Sequence, residues 1–335
     1  MRSRKRIIIL EHGGGELSNQ LWNFISIYAH CCQQGYNLEN YSFSEYAPWF
    51  KIPLKKPLLF IFFFFPFWVL EKLGGYETVA ASFLFRALKK YIRFVYGWYA
   101  AAIKVLYTDR IVSSDSGVIR LDNTALQNPF EKILAHHASA YGTGWLFRNY
   151  TGMKTYRKEI QEYFEPQEKH KRKASALVNG CREKYRYIIG VHIRQRNQWD
   201  TRVSFEEDCE AWKTYAAKPF FYPLHFSFVR VFLKSYCDFF HKNPNETCFV
   251  ICSNKSVPEE DFPGMHCVLS KGNCIEDMLT LASCDCVIGS DSTLSALSSW
   301  WGDIPLIAMQ ENPDWGYYTD KKGYFENKYV TAVHY

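Results

Sequence analysis

Three short stretches carry side chains whose types and spacing could do chemistry. In residues 187–200, YIIGVHIRQRNQWD, a β-branched apolar run delivers His192 and Arg194 on alternate positions. Alternation along a strand sends both side chains off the same face at its carboxyl end. Open α/β sheets hold ligands outside the carboxyl ends of their strands, so an anion-binding arginine belongs here. The competing reading is an arginine paired with a local carboxylate, and a lone His-x-Arg does not choose between them. The second stretch, Gly289-Ser290-Asp291-Ser292-Thr293-Leu294-Ser295, lies between a strand ending at Ile288 and a helix beginning near Thr293. Its hydroxyl residues can cap the helix and donate to an anion, for which a diphosphate is the natural guest; capping without a ligand is the commoner case. Asp277, near the start of the preceding helix, either accepts hydrogen bonds from a base edge or favours the helix dipole. The third stretch, Glu11-His12-Gly13-Gly14-Gly15-Glu16-Leu17-Ser18-Asn19-Gln20, is neither a G-x-G-x-x-G nor a Walker loop. Its glycines let backbone approach a ligand closely, or merely make a tight turn.

These residues need elements to position them. Ile7 to Leu10 read as a first strand, followed by a helix whose apolar face is Leu21, Phe24, Ile25 and Tyr28. Ser18 is its expected N-cap, and Gly35 ends it. From Tyr187 onward strands and helices alternate. Pro223 opens a helix with the face Phe228, Val231, Phe232, Tyr236 and Phe239, and strands follow at 247–252 and 266–269. Ile275, Met278, Leu279 and Ala282 form the next helical face, then come a strand at 286–288, a helix at 293–301 and a strand at 304–308. Such alternation predicts an α/β fold with parallel sheets in two Rossmann-like halves. Residues 111–150 give turn signals and no chemistry. The polar run EPQEKHKRKA at 165–174 reads as a linker or the start of a surface helix, with a boundary near 175–185 and domains 1–180 and 181–335.

Composition narrows the class. A chain of 335 residues suffices for two cores, and 47% hydrophobic content excludes extended disorder. The 26 Phe, 23 Tyr and 10 Trp exceed what cores alone need and point to sugar-stacking or membrane-facing surface. A net charge of +6 suits phosphate-bearing or anionic-membrane partners. No nucleic-acid module accompanies it, so no nucleic-acid partner is expected. Eleven cysteines without framework spacing read as reduced thiols of a cytoplasmic protein. Asn149, Asn245 and Asn254 begin N-x-S/T triplets, which matter only in a secreted chain. The start, MRSRKRIIIL, holds too short an apolar run for a signal peptide.

Residues 51–107 form an aromatic-rich insertion. The run PLLFIFFFFPFWVL at 57–70 is shorter than the ~20 residues of a spanning helix, and Pro66 interrupts it. The helical pattern beyond it puts Arg86, Lys89, Lys90 and Arg93 on one face and Phe83, Leu84, Leu88, Tyr91 and Val95 on the other. Between an interfacial membrane contact through 57–104 and an insertion packed on its own domain with solvated lysines, the first is expected. Peripheral attachment at the inner face of a membrane goes with it.

Taken in order, three segments carry a family likeness: Gly14-Gly15-Glu16-Leu17-Ser18-Asn19-Gln20-Leu21-Trp22, Gly190-Val191-His192-Ile193-Arg194-Gln195, and the run from Asp277 through Ser290-Asp291-Ser292-Thr293 to Ser299-Trp300-Trp301-Gly302. With them the chain resembles the fucosyltransferase superfamily, most closely its alpha-1,2-fucosyltransferase-like (glycosyltransferase family 11-like) branch. The resemblance implies a GT-B arrangement, two Rossmann-like domains facing a cleft. It implies an inverting glycosyltransferase that moves L-fucose from GDP-fucose to a glycan or glycolipid hydroxyl, with no metal and no cofactor beyond the donor. By this carry-over Arg194 holds the β-phosphate and glycosidic oxygen, and His192 contacts the donor nucleotide or its sugar. Ser290, Ser292 and Thr293 bind phosphate, Asp277 recognises guanine, Gly14 and Gly15 approach the donor, and Asn19 lines the cleft. A fixed guanidinium fork suits the charge that develops on a leaving diphosphate, and the sequence offers no Asp-x-Asp pair to carry a metal. The chain departs from the family at Ser18, where glycine is usual. It departs again at Gln195-Arg196-Asn197, where Arg-Gly-Asp or Gln-Gly-Asp is usual. The second departure removes a carboxylate, leaving Asp200, Glu206, Glu207 and Glu16 as candidate bases. It also keeps open an inactive nucleotide- or glycan-binding relative, beside a transferase using another GDP-sugar.

Overall fold

The computed structural model describes residues 5–11, 15–51, 65–72, 79–122, 128–194, 226–254 and 256–329. The chain separates into two compact units, Met1–Gln167 and Glu168–Tyr335.

The first unit runs β1 (Arg6–Ile9), α1 (Leu17–Gln34), β2 (Asn37–Asn40), α2 (Phe65–Lys72), α3 (Val79–Leu106), β3 (Ile111–Ser113), β4 (Ile119–Arg120), α4 (Pro129–His136), β5 (Ser139–Thr143), β6 (Phe147–Arg148), α5 (Tyr150–Thr155) and α6 (Arg157–Tyr163). Its main sheet has the order β2-β1-β5-β3, every pair parallel, and β4 and β6 form a separate parallel pair. Strand β1 lies inside the sheet, and its Ile7, Ile8 and Ile9 are all buried. Ile8 and Leu10 pack with Tyr141 and with Ala100 of α3. The Tyr96 hydroxyl donates to the Ile9 carbonyl at 2.9 Å. Helix α3 is therefore the crossover that covers one face of the sheet between β2 and β3, and the unit's core depends on it.

Two details at α1 differ from expectation. Glu16, without a side-chain cap, precedes the helix, and Ser18 is its second residue and buried. Starting at Leu17 keeps that fully buried leucine in register with Leu21 and Ile25, four and eight residues on. Gly35 ends the helix in the left-handed region, φ 67°.

The second unit runs α7 (Glu168–Arg182), β7 (Tyr187–Ile193), α8 (Phe226–Phe239), β8 (Thr247–Ser253), β9 (His266–Leu269), α9 (Cys274–Ala282), β10 (Cys286–Gly289), α10 (Thr293–Gly302) and β11 (Leu306–Ala308). Its parallel sheet has the order β11-β10-β7-β8-β9. Numbered along the chain from β7, this is the doubly wound order in which the winding direction reverses between the first strand and the fourth. The reversal falls between β7 and β10, where His192 is the register partner of Gly289.

The polar run ahead of β7 is a docked helix, not a linker. His170, Ala174, Val178 and Cys181 of α7 are buried, and the division falls ahead of the 175–185 region, at Gln167/Glu168. His170 Nδ1 lies 2.8 Å and Lys173 Nζ 3.2 Å from the buried Glu276 carboxylate. Burial raises the Glu276 pKa, but hydrogen bonds from His170, the Asn273 N–H and Lys173 outweigh it and leave the group below its ordinary value. Helix α8 is turned by one residue from the expected face. Val229, Phe232, Leu233, Tyr236 and Cys237 are buried, while Val231 and Phe239 are exposed. Ser227, Arg230, Lys234, Ser235 and Asp238 share one side of the helix, and the buried face is the side away from them.

The packing of α9 on α10 requires a glycine. A Cβ at Gly302 would stand 2.1 Å from the Ala282 carbonyl oxygen, a backbone atom that moves only with its helix. Gly302→Ala is expected to destabilise the protein by at least about 2 kcal/mol in urea unfolding through overpacking. An unchanged midpoint would show that the helices separate freely.

Candidate functional site

The site in the second unit is built where the sheet order reverses. Strand β7 ends in His192-Ile193-Arg194, and β10 ends at Gly289 and turns through Ser290, Asp291 and Ser292 into α10. Two of the predicted stretches are thus brought side by side at the carboxyl edge of one sheet, where doubly wound folds bind their ligands.

His192 is buried, and its Nδ1 lies 2.8 Å from the Ser295 Oγ. Ser295 spends its one hydroxyl proton on the Ser290 carbonyl at 3.1 Å, so its oxygen accepts from His192 Nδ1–H. That fixes the tautomer and leaves Nε2 as an acceptor. Burial, seconded by the nearby Arg194 charge, pushes the imidazole pKa down to about 3. At neutral pH this histidine is an uncharged acceptor, suited to a hydroxyl or N–H of a ligand and not to a phosphate. Arg194, a permanent cation, stands half-buried at the strand end beside it. Ser295 lies within the predicted turn but carries no role in the sequence reading; the hydroxyl two residues beyond the helix start was its only signal.

Gly289 is obligatory for this arrangement. A Cβ there would stand 2.4 Å from the Ser295 Oγ and 3.3 Å from the His192 Cβ. Ser292 is the N-cap of α10, accepting from the Leu294 N–H at 3.3 Å, as expected. Its hydroxyl proton, together with the first-turn N–H groups and Thr293, gives the helix start an anion-donating character. Ser290 is buried and its hydroxyl has no hydrogen-bond partner. A buried hydroxyl left unmatched at such a turn is a donor kept for something else.

Asp277 sits in the first turn of α9, buried beside the ends of β8 and β9. It accepts from the Ser270 hydroxyl at 2.5 Å, and the Cys252 thiol also bonds to it. Burial pushes its pKa up to about 7 despite these two bonds. A carboxylate merely favouring a helix dipole has no need of such burial. Ser270 and Cys252 escaped the sequence reading because only the sheet brings them to Asp277.

The first unit places its own stretch at the end of β1, next to β5. Gly15 has φ +78°, and a Cβ there would fall 2.3 Å from the Asn19 Nδ2, so glycine is needed both for conformation and for the approach of Asn19. Gln20 donates to the Gly15 carbonyl and to the buried Glu45, each at 3.0 Å. Glu45 in turn meets Lys89 at 2.8 Å and Arg93 at 3.4 Å. Sequence reasoning missed this network, which ties the glycine turn to α3. Glu16 is exposed and accepts from the Tyr46 hydroxyl at 2.7 Å. Of the other predicted site residues, Gly14, Asp200, Glu206, Glu207 and the Gln195-Arg196-Asn197 departure lie outside the described residues.

Among the described residues no group of three or more His, Cys, Asp or Glu side chains is placed to hold a metal ion. The ten described cysteines are free, and burial raises the thiol pKa of most of them, which marks packing residues. Asn149 is fully buried, caps α5 and bonds Gln33, so its triplet is structural.

No family model and no curated protein matches this chain. Solved structures do resemble it. A POFUT1 complex with GDP-fucose aligns over 93% of this chain and 99% of its own, at 9% identity and TM-score 0.48. The NodZ alpha-1,6-fucosyltransferase of Bradyrhizobium, soaked with GDP-fucose, aligns over 93% and 97% at 14% identity and TM-score 0.48. An Arabidopsis thaliana FUT1 variant bound to GDP aligns over 93% and 72% at 10% identity and TM-score 0.45.

Proposed function

We propose that the chain is a fucosyltransferase that takes L-fucose from GDP-fucose and passes it, with inversion, to a hydroxyl of a glycan or glycolipid. The observation that carries this reading is the juxtaposition at the β7/β10 reversal. A permanent cation, Arg194, shares one sheet edge with a hydroxyl-rich helix start, and the buried acceptor Asp277 stands by the neighbouring strand ends. Cation and helix start suit a diphosphate, and Asp277 suits the N–H edge of a guanine. The donor sugar itself rests on the likeness of the His192-Ile193-Arg194, Asp277 and Ser290–Thr293 segments to the superfamily.

In this mechanism the acceptor oxygen attacks the anomeric carbon as the bond to the β-phosphate oxygen breaks. The acceptor proton goes to a base, and GDP leaves with the bonding electron pair. Arg194 stabilises the charge growing on the diphosphate, the task a metal performs elsewhere. Neutral His192 accepts from a donor hydroxyl through Nε2, and Ser290, Ser292 and Thr293 hold phosphate oxygens. Alpha-1,2 linkage belongs to this proposal on the same likeness.

A thermal-shift series with GDP, UDP and NAD tests the class. GDP at 100 times its dissociation constant is expected to add about 2.7 kcal/mol of stability. Stabilisation by UDP or NAD in its place would overturn the donor assignment. Asn197, where a carboxylate is usual, favours a second reading: a relative that binds GDP-fucose without turning it over. Binding with no GDP release from GDP-fucose would select it.

A further inference from the structure

The outward surface of α3 is apolar to a degree that packing does not account for. Phe83, Leu84, Tyr91, Phe94, Trp98 and Val105 are each more than half exposed. Spaced mainly by three, four and seven residues, they run along one side of a 28-residue helix. Phe65 and Trp68 of the adjoining α2 are also exposed, their rings 6.1 Å apart. Of the apolar side read from the sequence, Phe83, Leu84 and Tyr91 are exposed. Lys89 and Arg93 turn toward Glu45, Ile92, Tyr96 and Ala100 are buried, and the aromatic residues face out.

Charge identifies what this face fits. Helix α3 contains Arg86, Lys89, Lys90, Arg93 and Lys104 and no acidic residue at all. Glu45 and Glu11 meet Lys89, Arg93 and Lys104 from within the unit. Lys90 is exposed at the edge of the aromatic stripe. A row of aromatic rings on a helix whose own charges are all positive is complementary to a surface that is apolar beneath and negative on top. Among the described residues no helix is long and apolar enough to cross a membrane, so such a helix lies in the interface. We propose that α3 docks the protein on anionic lipid bilayers, its stripe from Phe83 to Val105 at headgroup depth and Lys90 on lipid phosphate. Tyr91 and Trp98, with an apolar body and a polar tip, are the residue types that favour that depth. The proposal stands apart from donor chemistry, since the stripe belongs to the first unit alone.

Co-flotation of the full chain with vesicles tests it, using phosphatidylcholine with and without phosphatidylglycerol. Binding is expected to the phosphatidylglycerol vesicles at about 0.1 M salt and to weaken at about 1 M, where the Debye length falls to roughly 3 Å. Phe94→Ser/Trp98→Ser should weaken it at least tenfold while leaving the melting temperature unchanged, because both side chains are exposed. Lys90→Glu should weaken the preference for phosphatidylglycerol. Failure to float with either vesicle would overturn the proposal. So would a lowered melting temperature in the serine variant, which would show the stripe covered by the protein's own chain. A concentration-dependent dimer dissociated by the same variant would assign the face to a second copy and overturn it equally.

Discussion

Arg194→Ala is expected to lower the rate of GDP release from GDP-fucose by roughly 100- to 1,000-fold, about 2.7–4 kcal/mol in the barrier. The argument begins with position. Arg194 follows β7, the central strand of the second sheet, at the one place where strand order reverses. Its charge is felt at His192, two residues back, where it adds to burial in holding the imidazole neutral. On the function proposed above, the histidine is therefore unfit to neutralise a diphosphate, and that task is assigned to the arginine. The charge on the leaving group grows as the bond breaks, so the interaction is stronger in the transition state than in the bound donor. The loss should then fall mainly on kcat, with GDP affinity changed much less. Arg194→Lys keeps the charge and loses the fork, and should recover only part of the rate. Equal rates in the alanine variant and the parent would place the leaving-group cation elsewhere. Equal losses in GDP affinity and in rate would reduce Arg194 to a ground-state anchor.

How much of this was legible in the sequence depends on where the information lies. Strands β1, β7, β8, β9 and β10 follow from short β-branched or apolar runs, since a strand buried on both faces must be apolar throughout. Their spacing with helices gives the parallel sheets. Strand β5, which pairs with both β1 and β3, was hidden in 111–150 because its sequence is SAYGT. Small residues are required there, as a Cβ on Gly142 would stand 3.3 Å from the Phe130 ring, and small residues carry no strand signal. The site divides in the same way. His192, Arg194 and the Ser290–Thr293 turn were readable because each follows directly from a strand. Ser295 on His192, Ser270 on Asp277 and Glu45 beneath Gln20 depend on pairings across 103, 7 and 25 residues that only the folded chain makes. The two faces of α3 were legible, but not what each of them meets. Periodicity separates two sides of a helix but does not say which side meets the sheet, and only the fold brings the buried Glu45 to Lys89.

The second large effect concerns pH. Asp277 has its pKa raised by burial from an ordinary 3.8 to about 7. Between those values the folded protein holds a proton that the unfolded chain has released. Stability from this group is therefore greatest below pH 4, falls by up to ~1.4 kcal/mol per pH unit as pH rises through the window, and levels off above 7. Asp277→Asn, which has no charge to strand in the interior, should remove that slope and leave the variant more stable than the parent at pH 8. The Ser270 hydroxyl can keep its bond by accepting or donating, and the neighbouring Glu276 is already paired with His170 and Lys173. On the function proposed above, the same burial tunes recognition. A guanine edge donates N–H groups and needs the ionised carboxylate, so GDP must expel the proton that Asp277 holds below pH 7. GDP affinity should weaken as pH falls below about 7, by up to tenfold per unit. In Asp277→Asn it should be weaker at pH 8 and nearly flat with pH. Calorimetric titration of GDP at pH 6, 7 and 8 on both proteins separates the cases, since a carboxylate serving the helix alone would give the parent and the variant the same profile.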